Sequence, residues 1–83
     1  MYKIIIEKKA AEFFKKLERI NQERIGKKIE QLKNNPKLGV PYTANLAGLW
    51  KLRIGDFRLI YQIKNLELII VILKIGHRKN VYE

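Results

Sequence analysis

The run Leu68-Ile69-Ile70-Val71-Ile72-Leu73 presents six consecutive apolar side chains. Successive side chains on a strand point to opposite faces, so a strand of this kind needs cover on both sides. A chain of 83 residues holds material for one core and buries only about 60% of its unfolded surface. The run therefore belongs inside a sheet, beneath helices. It is far shorter than the roughly 20 apolar residues that span a bilayer, and residues 1–6 lack the long apolar stretch and cleavage site of an export signal. No export or membrane insertion is expected, and the 47% hydrophobic content suffices for the core this strand demands.

The remaining elements follow from periodicity. Residues 2–6 are a short β-prone run, and from Lys8 the spacing of Ala10, Phe13, Phe14, Leu17 and Ile20 becomes helical. Ile25, Ile29 and Leu32 continue at helical spacing, with Asn21 as the candidate N-cap of a second helix and Asn34-Asn35-Pro36 as its stop. Residues 20–24 contain neither Gly nor Pro, so one continuous helix is the alternative. Residues 36–48 carry two Pro and two Gly and read as a connecting loop. Beyond it, residues 49–54, 57–64 and 67–75 are rich in β-branched and aromatic side chains, divided by Gly55-Asp56 and by a turn near Asn65. The order predicts an α+β fold in a single domain over residues 1–83. An N-terminal strand, a two-helix antiparallel hairpin and a three-stranded antiparallel meander make it up, with the helices packed on one face of the sheet.

Charge points to the partner. Eighteen Lys and Arg against eight Asp and Glu give a formal charge of +10, which favours nucleic acid, an anionic membrane surface or an acidic protein. The absence of Cys excludes disulfides and thiolate metal sites and suits a cytoplasmic protein. Gly55-Asp56 is a candidate type II′ hairpin turn, and that turn sets Ile54 against Phe57, Arg53 against Arg58 and Leu52 against Leu59. Trp50, Leu52, Ile54, Phe57, Leu59 and Tyr61 then share one face, while Lys51, Arg53 and Arg58 share the other. Like charges directly opposite each other destabilise a sheet, so packing supplies no reason for the arginine pair, whereas a bound anion does. On the helices the lysines are interleaved with Glu7, Glu12, Glu18, Glu23 and Glu30, the pattern of a solvated face with partial pairing.

The C-terminal segment Gly76-His77-Arg78-Lys79-Asn80-Val81-Tyr82 adds donors after a glycine. His77 is the only histidine and lies in a cationic segment able to fold over the patch. Tyr82 is either a core anchor or a base-stacking and acid–base group. The sequence contains no metal-ligand cluster, phosphate-binding loop, dinucleotide fingerprint or carboxylate pair, so neither metal nor cofactor is expected. RNA brings its own nucleophile: a 2′-hydroxyl can attack the adjacent phosphate, leaving the protein to supply positioning, proton transfer and charge stabilisation.

The stretch Leu46-x-Gly48-Leu49-Trp50-Lys51-Leu52-Arg53-Ile54-Gly55-Asp56-Phe57-Arg58-Leu59-Ile60-Tyr61, followed by Gly76-His77-Arg78-Lys79-Asn80-Val81-Tyr82, resembles the RelE/ParE superfamily of toxin-antitoxin toxins over nearly the whole chain. For the RelE branch the resemblance implies a RelE-like microbial RNase-type fold and a metal-independent endoribonuclease. Such a toxin enters the ribosomal decoding site and cuts messenger RNA there by 2′-hydroxyl attack, inhibiting translation. A cognate RelB-like antitoxin with an acidic binding segment wraps and neutralises it, in a higher-order complex. Position by position, Lys51 and Arg53 match the family's basic strand pair, Arg58 its hairpin arginine, Arg78 its C-terminal arginine and Tyr82 its terminal tyrosine. The resemblance implies that Arg58 and Arg78 meet phosphate and transition-state charge. Lys51 and Arg53 would orient RNA or assist proton transfer, Lys79 would join in substrate binding, and Tyr82 would stack on or orient a base. His77 is a candidate general acid or base by its type and location. The ParE branch, which poisons gyrase, shares the scaffold, and a non-catalytic RNA-binding module is the third reading.

Overall fold

The apolar run takes the interior position its composition demands. In the computed structural model, which describes residues 1–77, β1 (Lys3–Ile6) precedes two helices, α1 (Lys8–Lys15) and α2 (Arg19–Asn34). A 3-10 turn at Pro36–Leu38, β2 (Val40–Pro41) and a second such turn at Ala44–Leu46 lead to β3 (Leu49–Ile54), β4 (Phe57–Lys64) and β5 (Ile69–His77). These strands form one sheet in the order β1-β5-β4-β3-β2, with β1 parallel to β5 and the other neighbours antiparallel. The expected α+β arrangement is present, as a mixed sheet with β5 enclosed between β1 and β4.

The core lies between the helices and one sheet face. Ala10, Ile25, Ile29 and Leu32 from the helices meet Leu52, Ile54, Phe57, Leu59, Tyr61, Ile70, Ile72 and Ile75 from the strands. The hairpin register is the expected one, with Leu52 opposite Leu59, Arg53 opposite Arg58 and Ile54 opposite Phe57. Gly55 supplies the positive φ (59°) that the first central position of a type II′ turn requires.

Three stretches differ from the sequence expectation, each for a local reason, and the β4–β5 ladder carries an irregularity. The chain does break between the helices, but α2 begins at Arg19 with Glu18 at its N-cap, placing Asn21 inside the first turn. At the break the Gln22 side chain donates to the carbonyl of Phe14 (3.0 Å), which also accepts from the Leu17 N–H (3.2 Å), and to that of Lys15 (3.3 Å), adding a side-chain donor where α1 runs out of helical partners. Residues 36–48 are not merely a loop: Val40 pairs with Lys51 and Pro41 with Trp50, an edge position where a proline's missing N–H is tolerated. The last strand spans Ile69–His77 rather than residues 67–75, because Asn65–Glu67 form a 3-10 turn closed by Leu68 in the left-handed region (φ 55°, ψ 46°). Finally, the β4–β5 ladder shifts between Ile60 and Tyr61, which face Lys74 and Ile72 respectively; Leu73 is the extra residue of a bulge.

Tyr61 ties the loop before β2 to the core. Its side chain is fully buried, its hydroxyl donates to the Pro36 carbonyl (2.6 Å) and accepts from the Gly39 N–H (3.0 Å), and its ring stacks on Trp50 at 6.2 Å. Gly39 is required there by close approach, since a Cβ would collide with the Lys51 carbonyl oxygen. Burial pushes the Tyr61 phenol above its ordinary value of 10.0, against a smaller lowering by the Gly39 hydrogen bond. A raised phenol pKa favours the protonated native state. Its contribution is thus complete below the unfolded value and is lost as pH rises through the folded one. Tyr61→Phe removes both hydrogen bonds and should cost about 1–3 kcal/mol in urea unfolding at neutral pH. Above pH 10.0 the variant should show a shallower loss of stability than the wild type.

Candidate nucleic-acid interface

Strand alternation and register together sort the charges of the sheet. Lys3, Lys51, Arg53, Arg58, Lys64 and Lys74 are the Lys and Arg residues of the five strands, and no strand contains Asp or Glu. Pairing places all six on the face turned away from the helices, because each shares its side with a partner of the same phase: Lys51 with Ile60 and Ile60 with Lys74, Arg53 with Arg58, Lys64 with Ile69 and Ile69 with Lys3. The acidic residues of the described chain sit in helices, caps and turns. Among the described residues, then, the strands bring six cations and no carboxylate to this face, and such a concentration of one charge draws anions.

Within that face the cations form rows across the strands. Arg53 and Arg58 stand opposite each other near the hairpin turn, with Gly76 next on β5. Arg53 is exposed whereas Arg58 is only 6% accessible, so the pair joins a solvent-facing guanidinium to one held within the structure. Two residues further along, about 6.7 Å by strand rise, Lys51 and Lys74 flank the buried Ile60. Their backbones are separated by two inter-strand steps, about 9.6 Å. Beyond Lys51 the face continues onto β2 and Tyr42. The Lys51 ammonium lies 5.2 Å from the centre of the Tyr42 ring, a cation–π contact between two half-buried side chains. Beside it, an open groove of about 430 Å³ is lined by Val40, Pro41, Tyr42, Thr43, Asn45, Leu46 and Lys51. At the hairpin tip, the Arg24 guanidinium of α2 approaches Gly55 closely enough for an added Cβ to stand 3.3 Å from it.

This fold has counterparts among known proteins. The family profile described as ParE toxin of type II toxin-antitoxin system, parDE, matches residues 4–82. The chain belongs to the RelE/ParE superfamily of type II toxins. A RelE-like toxin protein of Escherichia coli is 30% identical over 83 residues, covering 94% of this chain and 84% of that one. Toxin RelG of Mycobacterium tuberculosis is 37% identical over 46 residues, 55% of this chain and 53% of RelG, so the match spans about half the length of that relative. Among solved structures, the toxin-antitoxin complex RelBE2 from Mycobacterium tuberculosis superposes with a TM-score of 0.83 at 27% identity, over 95% of this chain and 93% of that one. The archaeal RelE–RelB complex from Pyrococcus horikoshii shares the fold, with a TM-score of 0.78 at 24% identity over 96% and 98% of the two chains.

In this toxin the structure brings Lys51, Arg53 and Arg58 together on one face, as the register predicts. It does not bring His77 to them. His77 ends β5 opposite Phe57, and its ring stacks on Phe57 at 4.9 Å and meets Phe13 edge-on at 6.0 Å, on the helix side of the sheet. Arg78, Lys79 and Tyr82 lie outside the described residues. Lys3, Lys64 and Lys74 are the members of the face that sequence reasoning missed, and of these Lys74 shares the row of Lys51. Lys74 is the one charged residue in a nearly continuous apolar run, yet its side cannot be assigned without the β4–β5 register and the bulge at Leu73. Among the described residues, no three His, Cys, Asp or Glu gather to hold a metal ion.

The opposed arginines make a direct prediction. Arg53→Gln relieves a like-charge cross-strand pair and should stabilise the free domain by about 0.2–1 kcal/mol at low ionic strength. The gain should shrink as salt screens the repulsion. Urea unfolding of both proteins at low and high salt measures it, and an unchanged or lowered midpoint at low salt would show that the pair carries no repulsion.

Proposed function

We propose that this toxin is a ribosome-dependent endoribonuclease that cuts messenger RNA in the decoding site and so blocks translation in the cytoplasm. The reading is carried by the one-sided sheet face: among the described residues its strands bring six cations and no carboxylate, with the exposed Arg53 and the buried Arg58 of one cross-strand pair at one end. Such a surface suits a polyanion that must be both held and polarised. The reaction needs no nucleophile from the protein. The RNA 2′-oxygen forms a bond to the neighbouring phosphorus as the P–O5′ bond breaks, giving a 2′,3′-cyclic phosphate and a 5′-hydroxyl, while a proton leaves the 2′-oxygen and one reaches the departing 5′-oxygen.

In this scheme Arg58, with Arg78, meets the charge that grows on the phosphate. Lys51 and Arg53 orient the strand and assist proton transfer, Lys79 adds to RNA binding, and Tyr82 orients a base. Lys74 extends the same face and holds a flanking phosphate. A RelB-like antitoxin with an acidic segment would silence the toxin by covering these cations, in a higher-order complex. Folded toxin would be stabilised in proportion to that binding. No helix of the described chain is long and apolar enough to cross a membrane.

Arg58→Gln should lower the rate of ribosome-dependent cleavage by about 10²- to 10³-fold while the domain stays folded by circular dichroism. Mapping of 5′-hydroxyl ends in an in vitro translation reaction measures it, and undiminished cutting would remove Arg58 from the chemistry. Lys74→Ala should mainly raise KM, and should reduce the salt dependence of RNA binding by about 0.7 in log–log slope. The matched family description names ParE, which favours gyrase inhibition as the second reading. Inhibition of supercoiling by the wild type, with intact messenger RNA on translating ribosomes, would select it.

A further inference from the structure

We infer that the groove between β2 and the start of β3 is a nucleobase site, with Tyr42 as the stacking surface for the base that follows the phosphate held by the cationic rows. This rests on the proposal that RNA lies on the cationic face, and it adds to that face a point at which sequence can be read.

Lys51 belongs both to the cationic rows and to the lining of the groove, so a strand bound along the rows passes directly to its mouth. Arg53 and Lys51 are two residues apart on β3, about 6.7 Å, which sets neighbouring backbone groups of a nucleic acid within reach of both. The groove's volume of about 430 Å³ lies within the usual range for small-ligand sites, about 300–1,000 Å³. Its lining joins the apolar side chains of Val40 and Leu46 to the hydroxyl of Thr43 and the amide of Asn45, groups able to donate to and accept from a base edge. Aromatic stacking on such a platform is how proteins hold unpaired bases.

The contact between Lys51 and Tyr42 gives the site its mode of opening. The ammonium over the ring is a neutral-partner contact, weaker than a charge-assisted bond to phosphate. When RNA arrives, Lys51 turns from the ring to the phosphate, and the uncovered ring takes the base. One side chain thereby couples backbone capture to base stacking. The groove's rear is held in shape from the core, because Gly39, just before β2, is fixed by Tyr61 and by its approach to the Lys51 carbonyl.

The test uses single-stranded RNA oligomers that carry 2′-O-methyl groups and therefore cannot be cut. An abasic residue is moved along the oligomer, and binding to the full-length toxin is measured at each position. The wild type should lose affinity by about 5- to 100-fold at one position and little elsewhere. Tyr42→Ala should be insensitive at that position, whereas Tyr42→Phe should keep the effect. Neither should alter the salt dependence of binding, because no phosphate contact is lost. Wild-type binding with no position effect, or a full effect retained in Tyr42→Ala, would overturn the inference. So would a Tyr42→Ala variant that weakens only a cognate antitoxin peptide, which would assign the groove to that partner. The position effect without messenger RNA cleavage on ribosomes would sink the nuclease reading and leave the base site standing; cleavage without the position effect would do the reverse.

Discussion

Arg53 and Arg58 are held directly opposite each other by the β3–β4 ladder, and much of the molecule can be understood from what keeps them there. The turn at Gly55 fixes the register, and the register fixes which side of the sheet each residue occupies. Slipping by one residue would send the arginines into the core and Leu52 and Leu59 to solvent, exchanging apolar burial for buried charge. Burial of Leu52, Ile54, Phe57, Leu59 and Tyr61 against the helices therefore opposes the repulsion between the cations. The packing that stabilises one face is what concentrates charge on the other.

Tyr61 links that core to the rim of the cationic face. One side chain, buried on the helix side, orders the Pro36–Leu38 turn and Gly39 through its hydroxyl. Gly39 in turn lies against the backbone of Lys51. The edge strand β2 is two residues long, too short to hold itself in place by ladder hydrogen bonds alone. Its position is instead inherited from the interior. The Lys51–Tyr42 contact is thus supported from behind by groups that carry no charge.

The hairpin was legible in the sequence because its turn chemistry, its alternation and its apolar face agree, and three independent signals chose one register. The helices were legible from their stripes, but the start of α2 was not. The group that replaces a stop signal there is a glutamine side chain reaching back to α1, a contact between residues seven and eight apart. β2 was hidden because two residues give no period, and because proline usually argues against a strand. Lys74 was hidden by the bulge at Leu73, since alternation counted across a bulge assigns the wrong face. His77 looked like part of the cationic tail by its neighbours in sequence, whereas its pairing with Phe57 places its ring on the apolar side. In each case the deciding interaction joins distant parts of the chain, which local pattern does not record.

The separation of the two faces also bears on how such a protein can change over generations. The charged side chains of the strands alternate with those that maintain the fold, and few of the former reach the core. Substitutions at Lys51, Arg53 or Lys74 can therefore be sampled without first compensating for lost packing, and inactive copies can persist as folded proteins. A lineage built on this sheet can lose one target and acquire another while its scaffold stays constant, so kinship of fold within it is a weaker guide to activity than the few residues displayed on one side of three strands.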